Sequence, residues 1–300
     1  MKYFVFLYLL VVFEFAYPTS SFGNISKSTI SEKDEDSLEM PSQNVEKMSN
    51  QDCKSSIFSI GANYSYVNIK PSSKSSFDGH LGGLHAMYEY RPMNSFYGAA
   101  AFAWRQGSAN GSGGSRSFID INVVERLGYS FTFKSNTRLL TLFSGFGFRF
   151  LGHHLNPSTL SSDAFIGSFF PPFLTDETSL RIDYHDFYIP LGFLLEYSFY
   201  SWFDLGFYGT WMPQIFSTAK IKPLGGAFWD LKETYSNFLI EVPLIFKLPK
   251  RKDFSLVLKP FFEYWQDGKS TAKTSSGIPL GLPKNTYYFV GFDLNFLYSF

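Results

Sequence analysis

Gly291-Phe292-Asp293-Leu294-Asn295-Phe296-Leu297-Tyr298-Ser299-Phe300 closes the chain with a two-residue period. Phe292, Leu294, Phe296, Tyr298 and Phe300 share one face. Asp293, Asn295 and Ser299 share the other, where Leu297 is the apolar exception. This alternation marks a β-strand with two unlike surroundings, because successive side chains point to opposite faces.

The same alternation recurs from Ser56 onward. Phe58, Ile60, Ala62, Tyr64 and Tyr66 alternate with Ser59, Gly61, Asn63 and Ser65. Comparable runs start near Gly82, Phe96, Ile119, Leu140, Phe187, Phe203, Phe238 and Phe254. With the terminal stretch, entered at about Thr286, they predict ten strands. Each is long enough for the roughly 9 to 11 residues that a tilted membrane-crossing strand needs.

Aromatic residues make up 20% of the chain and charged residues only 17%. Past the first residues, though, no stretch approaches the roughly 20 apolar residues of a membrane helix. Hydrophobicity spread over short alternating runs is the signature of a transmembrane β-barrel. The single cysteine, Cys53, excludes an intrachain disulfide framework. A formal net charge of zero gives nucleic acid no electrostatic footprint as a partner.

Met1-Lys2 precedes the apolar run Tyr3 to Phe13, followed by small and polar residues. That layout predicts a signal peptide over residues 1–23, with cleavage after Ala16 or Gly23. Residues 24–55 contain no aromatic residue and predict a disordered acidic periplasmic linker. Up to Asp52 there are four Lys and eight Asp or Glu; from Lys54 onward there are 22 Lys or Arg and 18 Asp or Glu. Residues 56–300 are the predicted barrel.

The spacing between strands sorts into long and short connections in strict alternation. Short turns are expected at Arg91 to Asn94, Lys134 to Thr137, Tyr200-Ser201 and Pro249 to Asp253. Long loops are expected at Lys70 to Phe77, Gln106 to Ser117, Gly152 to Ile182, Met212 to Lys232 and Gln266 to Lys284. A soluble sandwich has no reason to sort its connections this way. The terminal strand, its aromatic end and this alternation together resemble bacterial outer-membrane β-barrel proteins. The resemblance covers residues 56–300 as a general pattern. It implies an antiparallel up-and-down barrel of ten strands, or twelve if the longest loop holds another hairpin. It also implies long loops outside the cell, short turns and both termini in the periplasm, and lipid around the apolar face. The carboxy-terminal strand (Phe292, Leu294, Phe296, Tyr298, Phe300) would be the signal read by the barrel-assembly machinery.

The opposite face of the strands would line the lumen. It carries Glu89, Arg91, Arg105, Asp120, Arg126, Arg149, Asp186, Glu196, Asp204, Glu241, Lys259, Glu263 and Asp293. Two roles are open to these charges: a salt-bridged structural core, or the lining of a narrow pore for small polar solutes. The aromatics Tyr88, Tyr129, Trp202, Trp104, Trp211 and Trp265 are expected at the membrane interfaces. Phe165, Phe169, Phe170 and Phe173, in an apolar loop broken by Pro171-Pro172, are expected to fold over the mouth or meet a hydrophobic partner.

The expected function is therefore non-enzymatic, a narrow channel or structural barrel. A surface adhesin using its loops to hold a host or surface ligand is the alternative. Ten strands also resemble the omptin proteases, whose site uses carboxylates and a histidine near the extracellular rim. Asp78-Gly79-His80 and Asp183-Tyr184-His185-Asp186 are the segments to compare. By parity His80 and His185 face lipid, which argues against that chemistry. His153-His154 point to opposite faces and do not form a metal pair. Gly107 to Gly114 lacks the Gly-Lys-Ser/Thr ending of a phosphate loop and is read as an exposed loop. No cofactor is implied.

Overall fold

In a computed structural model, residues 55–71, 76–111, 114–133, 138–155, 180–222, 228–270, 272–273, 279–280, 282 and 284–300 are described. The predicted signal peptide, most of the linker with Cys53, and the mouth-loop phenylalanines lie outside these residues.

The chain forms a closed antiparallel barrel of ten staves. Five are unbroken strands: β1 (Ser56–Pro71), β2 (Phe77–Tyr90), β3 (Ser95–Gly111), β4 (Gly114–Phe133) and β5 (Arg138–Leu155). The sixth stave is β6 (Leu180–Tyr188) continued by β7 (Leu191–Tyr200), and the seventh is β8 (Phe203–Trp211) continued by β9 (Gln214–Lys222). A short β10 (Phe228–Asp230) pairs with β9. The eighth stave is β11 (Phe238–Glu241) continued by β12 (Leu244–Leu248). The ninth is β13 (Arg251–Asp267). A two-residue ladder, β14 (Ala272–Lys273) with β15 (Pro279–Leu280), precedes the tenth, β16 (Asn285–Ser299). β16 pairs with β1 from Ile57↔Ser299 to Pro71↔Asn285, which closes the cylinder. At the seam, Phe300 N donates to Ser56 O at 2.9 Å. Closure leaves no unpaired strand edge for hydrocarbon to meet.

The breaks in staves six to eight fall at Ile189-Pro190, Met212-Pro213 and Val242-Pro243. Proline has no N–H to give the ladder, and these three staves are interrupted at one, whereas β13 runs on through Pro260 opposite Phe292. Two of these prolines still accept. Ile189 N donates to Pro213 O at 3.1 Å and Gly206 N to Pro243 O at 2.8 Å.

Three expected loops are shorter than the spacing suggests. Gln106 to Ser117 is mostly ladder, since β3 and β4 stay in register to Gly111↔Gly114. The Gly- and Ser-rich composition there reads as loop, yet ladder pairing and inward residues such as Ala109 hold it as strand. Met212 to Lys232 likewise contains β9 and β10. β5 pairs directly with β6 from Gly147↔Tyr188 to Leu155↔Leu180, so no added stave separates them and the twelve-strand alternative is not adopted.

The apolar face of every stave points outward. Leu127 and Phe296, for instance, are 59% and 65% exposed. Tyr129, Phe131 and Trp202 are exposed toward the short-turn end, and Trp211 toward the loop end. Trp265 departs from the expected girdle. It has the inward parity of Glu263 and is fully buried in the lumen.

One outward position of β4 is charged. Glu125 sits between Val123 and Leu127 on the lipid face, registered with Ala100 and Phe146. It lies midway between the aromatic Tyr129 and the level of Trp104, where an ionisable side chain is costly. Glu125→Leu is expected to stabilise the barrel by up to about 2 kcal/mol in vesicles, read as a higher midpoint of urea unfolding.

Candidate functional site

The inward face of the staves builds a lumen with three levels. The alternation of β3, β4, β5 and β13 sets the central level by aiming one long charged side chain from each into the axis. Arg105 Nε donates to Asp120 Oδ2 at 2.8 Å, and Arg105 Nη2 to Glu263 Oε2 at 2.9 Å. Arg149 Nε donates to Asp120 Oδ1 at 3.0 Å, Arg149 Nη2 to Asp120 Oδ2 at 2.9 Å, and Arg149 Nη1 to Glu263 Oε1. Arg149 is 0% exposed and Asp120 1%. Two guanidiniums and two carboxylates thus form a charge-neutral tetrad joining four staves. Arginine suits this place because its planar fork meets a carboxylate with two parallel bonds. Aromatic faces cover the cations: Arg149 lies 4.5 Å from the Trp265 ring centroid and Arg105 4.5 Å from that of Phe289.

Toward the loop end the inward positions are mostly apolar. Val67, Ile69, Phe77, Leu81, Phe118 and Leu151 pack with Tyr184, Tyr188, Tyr287 and Phe289. Within this packing runs a polar chain. Tyr287 Oη donates to Asp267 Oδ2 at 2.6 Å and lies 3.1 Å from His153 Nε2, while Trp265 Nε1 donates to Asp267 Oδ1 at 3.1 Å. Ser217 Oγ donates to Asp186 Oδ1 nearby. Asp186 and Asp267 are both fully buried.

Toward the short-turn end the lumen keeps open space. A cavity of about 120 Å³ lies beneath the tetrad, with Arg105 and Glu263 contributing to its wall. Its other charges come from Glu89, Arg91, Arg126, Glu196, Glu241, Lys259 and Asp293. Lys259 Nζ lies 2.6 Å from Glu241 and 3.1 Å from Asp293, and Arg91 Nη1 lies 2.9 Å from Glu196. Asp204 sits outside this cavity, paired with Lys247 at 2.7 Å.

All thirteen predicted lumen charges therefore lie on the inner face. The structure brings four of them into the tetrad, three into the Lys259 cluster, and Glu89 and Glu196 onto Arg91. Sequence reading missed the apolar loop-end half, Asp267, His153 and the Tyr287 link. Parity assigns these residues to the inner face, but nothing local says that the lumen changes from polar to apolar along its length.

The segments compared with omptins divide between the two faces. His80 is outward and exposed, 2.9 Å from Tyr64 Oη, and Tyr66 Oη donates to Asp78 Oδ1 at 2.6 Å. His185 is outward between Phe148 and Phe150, while Asp186 points inward. His153 is inward and buried, and its neighbour His154 is exposed. Among the described residues no group of three or more His, Cys, Asp or Glu is placed to hold a metal ion.

No protein-family model matches the sequence, and neither does any curated protein. Solved structures do. The outer membrane protease OmpT from Escherichia coli matches at 10% identity, covering 82% of this chain and 96% of that one, with a TM-score of 0.51. The transport unit of the autotransporter AIDA-I from Escherichia coli matches at 10% identity over 84% and 92%, with a TM-score of 0.44. The translocator domain of the autotransporter NalP from Neisseria meningitidis matches at 8% identity over 84% and 90%, with a TM-score of 0.43. The chain has the fold of a bacterial outer-membrane β-barrel. At these identities the likeness extends to the fold alone, and a fold does not carry an activity with it.

Glu263→Gln leaves Arg149 and Arg105 short of a counter-charge in a buried site, so a loss of about 3 to 5 kcal/mol is expected. Arg181→Ala removes the rim pair with Asp183, whose Arg181 side chain is 39% exposed, and is expected to cost less than about 1 kcal/mol. Urea unfolding in vesicles of fixed composition compares the two.

Proposed function

We propose that the chain is a non-enzymatic outer-membrane barrel whose lumen is a filled, ion-paired core rather than an open diffusion pore. The observation that carries this reading is the tetrad Arg105–Asp120–Arg149–Glu263, which crosses the axis under the side chains of Trp265 and Phe289. Barrels of about this strand number fill their interior with side chains. The apolar packing on the loop side of the tetrad supports the same reading. In this proposal a signal peptide exports the chain, the assembly machinery reads the Phe292 to Phe300 strand, and both termini face the periplasm. The meeting of Phe300 with Ser56 at the short-turn end fits that orientation.

A second reading, binding at the cell surface, is favoured by stave length. β3, β4, β5 and β13 run 17, 20, 18 and 17 residues. A crossing strand needs about 9 to 11, so these staves extend past the bilayer and raise the loop rim above it. The omptin-like reading has the fold likeness behind it. Against it, the inward Asp186 and Asp267 are wholly buried and His80 and His185 face outward.

The test is single-channel recording of the full chain refolded in detergent, with a heat-sensitive gel shift as the check of closure. The wild type is expected to stay silent, and Arg149→Gly combined with Glu263→Gly to produce discrete small steps. Reproducible wild-type steps that change when Arg126 or Glu241 is neutralised contradict the sealed-lumen proposal and make the protein a pore.

A further inference from the structure

Two charges in the short-turn cavity are less well met than those around them. Arg91, Arg105 and Lys259 each hold at least one carboxylate there. Arg126 makes no ion pair among the described residues, and its Nε is buried without a hydrogen-bond partner. Its guanidinium lies 5.0 Å from the Phe143 ring centroid, which fixes the group against that wall. Glu89 is the second. It is 4% exposed and is the less well held of the two carboxylates on Arg91: its Oε1 lies 3.3 Å from Arg91 Nε without a hydrogen bond, while Glu196 takes one from Arg91 Nη1 at 2.9 Å.

These two residues are in one row of the sheet. Glu89 and Arg126 are both registered with Ala99, one on each neighbouring stave. Two strand spacings of about 4.8 Å put their Cα atoms roughly 10 Å apart. Between them lies only a methyl group, so both long side chains rise over a low floor. They line the same cavity of about 120 Å³ and carry opposite charge. A buried charged group whose hydrogen bonds are unmet is costly. An anion alone would serve Arg126 but add charge beside Glu89, and a cation alone would do the reverse. A ligand carrying both charges serves both ends and adds no net charge.

We propose that this cavity is a binding site for a small zwitterion of the amino-acid class, its carboxylate on Arg126 and its ammonium on Glu89. The guanidinium supplies the forked donors that a carboxylate takes in two bonds. The cavity volume is on the order of four waters at about 30 Å³ each, which matches the smallest amino acids in size. Ligands with only one of the two charges leave a buried group unpaired, which is the basis of strong discrimination.

The probe is radiolabelled glycine, in equilibrium dialysis against the full chain refolded in detergent. Saturable binding of one glycine per barrel is expected, with acetate and methylamine each competing at least tenfold more weakly than unlabelled glycine. Arg126→Gln and Glu89→Gln are each expected to weaken binding at least tenfold while keeping the heat-sensitive gel shift. If a variant fails to fold, the wild-type competition series decides by itself. No saturable glycine binding, or acetate or methylamine competing as well as glycine, overturns the proposal. Folded variants that bind like the wild type overturn it too. This proposal stands apart from the sealed-lumen reading, since a silent barrel that does not bind glycine leaves that reading intact.

Discussion

Ionised groups in a narrow lumen are costly unless they satisfy one another, and the central level of the barrel is organised around that constraint. Arg105 and Arg149 divide their donors between Asp120 and Glu263, so four staves are tied across the axis by groups that are each unaffordable alone. The aromatic faces of Trp265 and Phe289 lie against the cations and keep water away from them. On the outside, the strand ladder only has to close. On the inside, the tetrad decides how the lumen is divided.

The division is uneven. The loop-end half is packed by side chains such as Phe77, Phe118 and Leu151, with the Asp267–Tyr287–His153 chain threaded through it. The short-turn half retains space and buried polar atoms without hydrogen-bond partners, among them Ser59 Oγ, Asn63 Oδ1 and His85 Nδ1. Packing closes one end of the cylinder, while the other end keeps the chemistry to receive a small polar molecule. The proline breaks at Pro190, Pro213 and Pro243 fall on three adjacent staves, and Pro243 itself lines the cavity.

Much of the fold was legible because a barrel writes its two environments into a period of two. Phe58 to Tyr66 and Phe292 to Phe300 fixed which side meets lipid, and the same parity put Glu263, Arg149 and Asp120 inside. The boundaries were less legible. The stretch from Gln106 to Ser117 is rich in Gly and Ser and reads as a loop, yet the ladder carries strands to Gly111 and from Gly114. Trp265 reads as an interface aromatic until its inward parity is taken as decisive. Pairing across the lumen could not be read at all. Arg149 and Glu263 are far apart in sequence and meet only because the cylinder closes. Nor does local sequence say that Arg126 is left out of the ion pairs its neighbours make.

The measurement that bears most directly on this account is a double-mutant cycle on Arg149 and Glu263. Arg149→Gln, Glu263→Gln and the pair are unfolded by urea in vesicles of one composition, and the coupling free energy is taken from the cycle. An ion pair that holds the lumen closed predicts strong coupling, about 2 kcal/mol or more, with the double variant much less destabilised than the two single losses sum to. Additive losses from the two substitutions would contradict it, because they would mean that the two side chains do not act on each other across the barrel.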